Sequence, residues 1–141
     1  SRVVRSAMLI LGLLIGGVVA GVLLIDEGEL VTLQTRGPDG DHYQTQLWVI
    51  EEGGELYLRA HYPGAKWLAR VRQHPQVELR RGDASDTFLA GPVDDPEVRR
   101  AVNRAMAAKY GLADRLASSF WDPKKSIPVH LDHNSASAQR P

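Results

Sequence analysis

The fold of this chain is decided by residues 66–79, KWLARVRQHPQVEL, in which a short helix runs directly into a strand. Trp67, Leu68 and Val71 form an apolar stripe at helical spacing, with polar side chains on the other side. Pro75 has no backbone N–H to donate and therefore ends the helix. Apolar and charged residues then alternate over Gln76–Arg81, which predicts a strand.

Three strands are predicted before this helix. Residues 29–35 (ELVTLQT) and 42–50 (HYQTQLWVI) alternate apolar and polar side chains, and the turn formers RGPDGD at 36–41 join them into a hairpin. A second turn, EEGG at 51–54, leads into a third strand, ELYLRAH at 55–61. Its even-numbered side chains are apolar, so Tyr57, Arg59 and His61 share the opposite face.

Two more strands and two helices are predicted after the strand Gln76–Arg81. Residues 87–93 (TFLAGPV) form a strand, and a helix capped by Asp94 or Asp95 then runs to Gly111. Its predicted buried side consists of Val98, Ala101, Val102, Ala105 and Met106. A shorter helix places Leu112, Leu116 and Phe120 on one face, and residues 127–131 (IPVHL) form the last strand. This order predicts an α+β fold, a closed or half-closed antiparallel barrel with peripheral helices.

The N-terminal segment predicts a membrane anchor. Residues 7–25, AMLILGLLIGGVVAGVLLI, carry no charge and are long enough as a helix to span a hydrocarbon core. A cleaved signal peptide, with Val18 and Ala20 before the cut, is the alternative. Arg2 and Arg5 before the segment and acidic residues after it predict a cytoplasmic N-terminus and a domain outside the cytoplasm. We expect an anchor over 1–28, a barrel domain over 29–133 and a disordered tail over 134–141.

Composition limits the classes of function. The 141 residues include 17 basic and 17 acidic side chains with neither sign in a block, which does not favour nucleic acid as a partner. No cysteine is present, so disulfides and thiolate chemistry are excluded. His130, Asp132 and His133 are metal-capable, but the pattern offers no third well-placed ligand, and we predict no metal site.

Residues 66–79 resemble the W-x-x-N-L-x-x-N-P-x-V-x-V segment of the deazaflavin-dependent nitroreductase family. Residues 33–37 (LQTRG) are similar to that family's T-T-G-R turn, residues 105–111 to its helix ending in Tyr, and residues 127–129 to its closing I-P-V strand. The resemblance covers roughly residues 30–132. It implies the split β-barrel of the flavin reductases, a deazaflavin or FMN as cofactor, and hydride transfer to nitro compounds or quinones.

The first loop departs from that family. The family pattern G-R-K-S-G-x-x-R places several cations on the cofactor phosphates, whereas residues 37–44 here read GPDGDHYQ. Asp39 and Asp41 stand in place of cations, and only Arg36 remains in the loop. Because carboxylates repel phosphate, the sequence does not predict an anionic cofactor held in the family's way.

Two groups of side chains are candidates for the site, each with a plainer alternative. Arg59 and His61 share a strand face and Lys66 and Arg70 lie one turn apart, so the four could form an anion pocket or remain solvated charges.

The aromatic candidates are also open. Trp67 could stack on a flat ring or pack in the core. Trp48, which shares a strand face with Gln44 and Gln46, could line a cleft or lie beneath a helix. The predicted cofactor-binding residues are Arg36, Gln44, Gln46, Trp48, Arg59, His61, Lys66 and Trp67, and no catalytic residue is predicted.

Two functions remain open at this stage. The first is a membrane-anchored flavin- or deazaflavin-dependent oxidoreductase that reduces a lipophilic quinone or a nitro compound. The second is a non-catalytic binding module on the same fold that has lost the cofactor. The motifs Gly12-x-x-x-Gly16 and Gly17-x-x-x-Gly21 match the pattern by which membrane helices pair, although glycine is also common in membrane helices, and pairing through them would give a homodimer in either case.

Overall fold

The computed structural model describes residues 28–133 of the chain. The predicted membrane segment at 7–25 and the predicted disordered tail at 134–141 lie outside these residues, and the division into 1–28, 29–133 and 134–141 stays a prediction. Within the described part of the chain, no helix is both long enough and apolar enough to cross a membrane.

Six antiparallel strands form a closed barrel in the order β1-β2-β3-β6-β5-β4. The strands are β1 Leu30–Arg36, β2 His42–Glu52, β3 Glu55–Ala60, β4 Gln76–Arg81, β5 Ala84–Pro92 and β6 Ile127–Asp132. The predicted first hairpin is confirmed, with Leu33 opposite Thr45 in the ladder. Closure of the barrel pairs β1 with β4, so no strand among these six is left as an open edge.

The barrel interior is the main hydrophobic core. Strand alternation points Val31 and Leu33 of β1 inward, and Leu58 of β3 joins them in full burial. The predicted helix after β3, α1 (Lys66–Gln73), packs its apolar stripe into the same core. The alternation and the helix stripe predicted from the sequence are therefore both confirmed.

A second core lies between the outer face of the barrel and a long helix, α2 (Pro96–Tyr110). Asp95 caps this helix, its side chain accepting a hydrogen bond from the Glu97 N–H at 2.8 Å. Gly111 ends it with a positive φ of 56°, a conformation that side chains with a Cβ rarely adopt. The second core joins Ile50 of β2 to Val102, Met106 and Tyr110 of α2.

The shorter helix, α3 (Leu112–Ala117), departs from its predicted packing. Its expected apolar face is not buried, since Leu112 is 48% exposed and Phe120, beyond the end of the helix, is 90% exposed. Asp114 is the buried residue of α3 instead. The helix turns this carboxylate inward because a buried arginine on β3 requires a counter-charge.

Candidate functional site

A pocket of about 180 Å³ opens between the outer face of β2 and β3 and the helices α2 and α3. Strand alternation forms it: residues opposite each other in a ladder share a face, and the Leu30–Trp48 pair points outward. Arg59 of β3 and His61, which follows the end of that strand, continue the same outward face. The lining residues are Leu30, Gln46, Leu47, Trp48, Arg59, His61, Met106 and Ala117.

Trp48 is held in this pocket by α2. Its ring stacks on Tyr110 with centroids 4.3 Å apart and planes 10° from parallel. The Tyr110 hydroxyl accepts a hydrogen bond from the Val49 N–H at 3.0 Å and lies 2.7 Å from the carbonyl oxygen of Glu29, to which it donates. Both sequence alternatives for Trp48 therefore hold, because the ring lies beneath a helix and also lines the pocket.

Arg59 is a buried cation at the edge of the pocket, with only 5% of its surface exposed. Its Nη2 donates to Asp114 Oδ1 at 2.6 Å, and its Nη1 donates to Asn103 Oδ1 at 3.2 Å. Its third nitrogen, the Nε–H, is buried and has no hydrogen-bond partner among residues 28–133. An unpaired buried donor is costly, so this group has a strong requirement for an acceptor.

Trp121 extends the aromatic surroundings of Arg59. The His61 ring stacks on Trp121 at 4.6 Å with planes 6° apart, and the Arg59 guanidinium lies over the same indole at 4.6 Å. The Trp121 Nε1–H is also buried and has no partner in the described part of the chain. Burial, followed by the nearby Arg59 charge, lowers the pKa of His61 below its usual range, so the ring is neutral at pH 7.

The structure brings together four of the eight predicted site residues: Gln46, Trp48, Arg59 and His61. Gln44 lies on the same face of β2 as Gln46 but is exposed and does not line the pocket.

The other three predicted residues lie elsewhere. Lys66 is exposed in the first turn of α1, whereas Trp67 is buried in the barrel core with 8% of its surface exposed. Core packing is therefore the alternative that the structure shows for Trp67. Arg36 lines a different pocket of about 460 Å³, together with His42, His74 and Glu78.

Of the two alternatives for Arg59, His61, Lys66 and Arg70, the structure does not show the shared anion pocket. Arg70 Nε donates to the buried Thr35 hydroxyl at 2.8 Å, and its guanidinium lies over Tyr43 at 4.5 Å. Arg59 is instead committed to Asp114. Adjacency along the chain was misleading because α1 packs into the barrel interior, whereas Arg59 points to the outer face.

The loop between β1 and β2 has the acidic character that its sequence indicates. The Asp39 carboxylate accepts a hydrogen bond from the Asp41 N–H at 3.1 Å, and the Gly37 N–H donates to the Asp41 carbonyl at 2.8 Å. The first of these bonds lowers the pKa of Asp39, while the neighbouring Asp39 side chain raises the pKa of Asp41. A tight turn with two exposed carboxylates offers little attraction to a phosphate.

Three residues of the site were missed by sequence reasoning: Asn103, Asp114 and Trp121. Each is brought to Arg59 from a distant part of the chain, so no local pattern points to it. For metals, the described residues include no group of three His, Asp or Glu placed to hold an ion. His130 contacts Glu55 at 2.8 Å instead.

Comparison with known proteins defines the fold. No protein-family model and no curated protein matches the chain. Among solved structures, a conserved hypothetical protein from Mycobacterium tuberculosis is 20% identical to this chain with a TM-score of 0.59. The match covers 81% of this chain and 83% of that protein. An F420-H2 dependent reductase is 19% identical with a TM-score of 0.54, covering 72% and 92%. A structure described as a domain-swapped dimer is 21% identical with a TM-score of 0.55, covering 72% and 78%.

These similarities confirm the sequence resemblance at the level of the fold. The described residues form a split β-barrel with peripheral helices, the architecture expected from the deazaflavin-dependent nitroreductase family.

Proposed function

We propose that this chain is a flavin- or deazaflavin-dependent oxidoreductase whose ring-binding site is the pocket at Trp48, Arg59 and His61. The observation that carries the proposal is the convergence of the Trp48 ring, the Arg59 cation and the His61 ring on one pocket. The fold shared with an F420-H2 dependent reductase supports the same class of chemistry.

The pocket residues fit the ring of such a cofactor. When bound, a flavin or deazaflavin supplies hydride transfer. Trp48 gives an apolar wall that is held rigid by Tyr110. Arg59 brings its positive charge to the pocket lining, and neutral His61 can donate or accept a hydrogen bond at the ring edge. Gln46 adds an amide that can serve both roles.

The size of the pocket implies a second copy of the chain. Its volume of about 180 Å³ is below the roughly 300 to 1,000 Å³ of typical small-molecule sites. Leu30, which lines the pocket, is 44% exposed, and Leu112 at the start of α3 is similarly exposed. A homodimer that covers these side chains would complete the site, and the domain-swapped neighbour supports dimerisation within this fold.

The acceptor is proposed from the sequence. The apolar segment at 7–25 would keep the domain at a membrane, where a lipophilic quinone or nitro compound is within reach. The charges that flank it favour a domain outside the cytoplasm, a location that counts towards the binding module rather than the enzyme. Reduced deazaflavin and nicotinamide pools are cytoplasmic, so a reporter fused after Pro141 that is active only outside would argue against the enzyme.

Gln46 and Gln44 provide a matched test of the pocket. Both are exposed glutamines on the same face of β2, but only Gln46 lines the pocket. In fluorescence titrations of the full chain with FMN and with a deazaflavin, Gln46→Leu should weaken binding several-fold, while Gln44→Leu should not. Equal effects of the two substitutions would contradict this pocket as the ring site.

The alternative function is a binding module that has lost the cofactor, and the acidic β1–β2 loop favours it. Exchange of Asp39 for Lys and Asp41 for Arg should raise the affinity for a phosphate-bearing cofactor if these charges weaken binding. If the native chain binds neither FMN nor a deazaflavin, the binding module becomes the better account.

A further inference from the structure

A second surface carries an unusual concentration of positive charge. A groove of about 580 Å³ runs between the first half of α2 and the short 3-10 helix Pro123–Lys125. Its charged walls are Arg99, Arg100, Arg104 and Lys124, its only neutral polar side chain is Asn103, and Pro96 and Pro123 provide apolar surface. None of the carboxylates of residues 28–133 lines the groove.

Most of these cations are not neutralised by the rest of the domain. Within residues 28–133, no ion pair or hydrogen bond engages the side chains of Arg100, Arg104 or Lys124. Arg99 donates to the Ser126 carbonyl at 2.8 Å and lies 4.0 Å from the exposed Asp94 carboxylate. The charges therefore remain free to act on a ligand in solution.

The carboxylates of these segments lie outside the groove lining. The Asp95 side chain caps α2, and the Asp122 side chain accepts from the Lys124 N–H at 3.0 Å as the cap of the 3-10 helix. Asp94 and Glu97 are exposed at the start of α2. The whole chain has equal numbers of acidic and basic side chains. The excess of positive charge in this groove therefore comes from how the fold arranges the side chains and not from the overall composition.

We propose that this groove binds a phosphorylated ligand, with the phosphate held by Arg100, Arg104 and Lys124. Arginine presents planar paired donors that match phosphate oxygens, and charge-assisted bonds of this kind are stronger than neutral ones. The groove volume falls in the range of typical ligand sites, roughly 300 to 1,000 Å³. The two prolines and the arginine stems can cover the organic part of the ligand.

The groove is separate from the ring pocket, but Asn103 contacts both. Asn103 lines the groove, its Nδ2 donates to the Pro123 carbonyl at 3.1 Å, and its Oδ1 accepts from Arg59. Substitution of Asn103 would therefore disturb Arg59, and the test leaves this residue unchanged. The proposal does not depend on the redox function, since the groove could hold a phosphorylated ligand in either account of the chain.

The test compares two charge-matched double variants by calorimetric titration of the full chain with inorganic pyrophosphate. Arg100→Gln with Arg104→Gln removes two groove cations, and Arg72→Gln with Arg80→Gln removes two exposed cations from α1 and β4. We expect the groove variant to bind about tenfold or more weakly, and the control variant to bind within about twofold of the native chain. Equal loss of pyrophosphate binding in both variants would overturn the site. If the native chain does not bind pyrophosphate, the decision passes to binding on lipid vesicles.

Vesicles distinguish a free ligand from a lipid headgroup. Binding of the full chain is compared on neutral phosphatidylcholine vesicles and on vesicles that also contain an anionic phospholipid. A preference for the anionic vesicles that Arg100→Gln with Arg104→Gln abolishes, without pyrophosphate binding, assigns the phosphate to a lipid. Absence of both pyrophosphate binding and this preference would refute the proposal.

Discussion

Arg59 on β3 and Asp114 on α3 form an ion pair at 2.6 Å in which 3% and 10% of the side chains are exposed. The pair links α3 to the barrel and orients the Arg59 guanidinium, whose buried Nε–H has no partner within residues 28–133. The site therefore depends on a contact between residues 55 positions apart in the chain.

The first prediction concerns this pair. Asp114→Ala leaves the buried Arg59 charge without its carboxylate and should lower the free energy of unfolding by about 3 to 5 kcal/mol. Urea unfolding of the full chain measures the loss. Asp86→Ala, which removes the carboxylate of an exposed contact with His133 at 3.7 Å, is the control and should cost less than about 1 kcal/mol. Similar losses in the two variants would show that the pair is not what fastens α3.

Tyr110 should contribute through its hydroxyl as well as its ring. Tyr110→Phe keeps the stacking on Trp48 but leaves the Val49 N–H without this acceptor, so we expect a loss of about 1 to 3 kcal/mol. Tyr62→Phe is the matched control, because Tyr62 is exposed and its hydroxyl makes no hydrogen bond within residues 28–133. Thermal unfolding of both variants checks the prediction, and an unchanged melting temperature for Tyr110→Phe would contradict it.

Glu29 should make stability dependent on pH in the acidic range. Hydrogen bonds from Arg81 and Lys109 lower the pKa of Glu29 from 4.5 to about 2. A lowered folded pKa stabilises the protein above pH 4.5, and this contribution is lost as the pH falls towards 2. The carboxylate is about one third exposed, so screening reduces the effect to about 1 kcal/mol.

The substitution Glu29→Gln tests this contribution. Unfolding measured at pH 7 and pH 3 should show a smaller pH difference for Glu29→Gln than for the native chain. Arg81→Gln removes the principal cause of the shift and should act in the same direction. An unchanged pH difference in both variants would rule out Glu29 as the source.

His61 should add a second pH dependence nearer neutrality. Burial and the Arg59 charge lower the pKa of His61 from 6.5 in the folded chain, so the unfolded chain takes up this proton first. Stability is then greatest above about pH 6.5 and falls as the pH is lowered below it. His61→Phe keeps a ring against Trp121 and should flatten the melting-temperature profile between pH 8 and pH 5.5, whereas a profile of the same slope would contradict this role.

The alternation of side chains along strands allowed the sequence to predict both the barrel and about half of the candidate site. A strand period of two determines which side chains share a face, so the sequence could pair Gln46 with Trp48 on β2, and Arg59 of β3 with His61 just beyond it. The apolar stripe of α1 likewise predicted the packing of Trp67, Leu68 and Val71.

The remaining parts of the site depend on tertiary contacts that no local period encodes. The pattern of α3 predicted Leu112, Leu116 and Phe120 as the buried face. Asp114 is buried instead, because without its carboxylate the buried Arg59 charge would have no counter-charge. Arg36 and Lys66 were grouped with the site by resemblance and by adjacency along the chain. The barrel places Arg36 in another pocket and leaves Lys66 exposed on α1.

The most direct test of the central claim is to identify the small molecules released from the full chain purified from its own host, by absorbance and mass spectrometry. The redox account predicts a flavin or deazaflavin near one per chain, with a smaller amount recovered from Gln46→Leu than from Gln44→Leu. A chain that releases neither compound and binds neither on titration would contradict the account and leave the binding module as the function of this barrel.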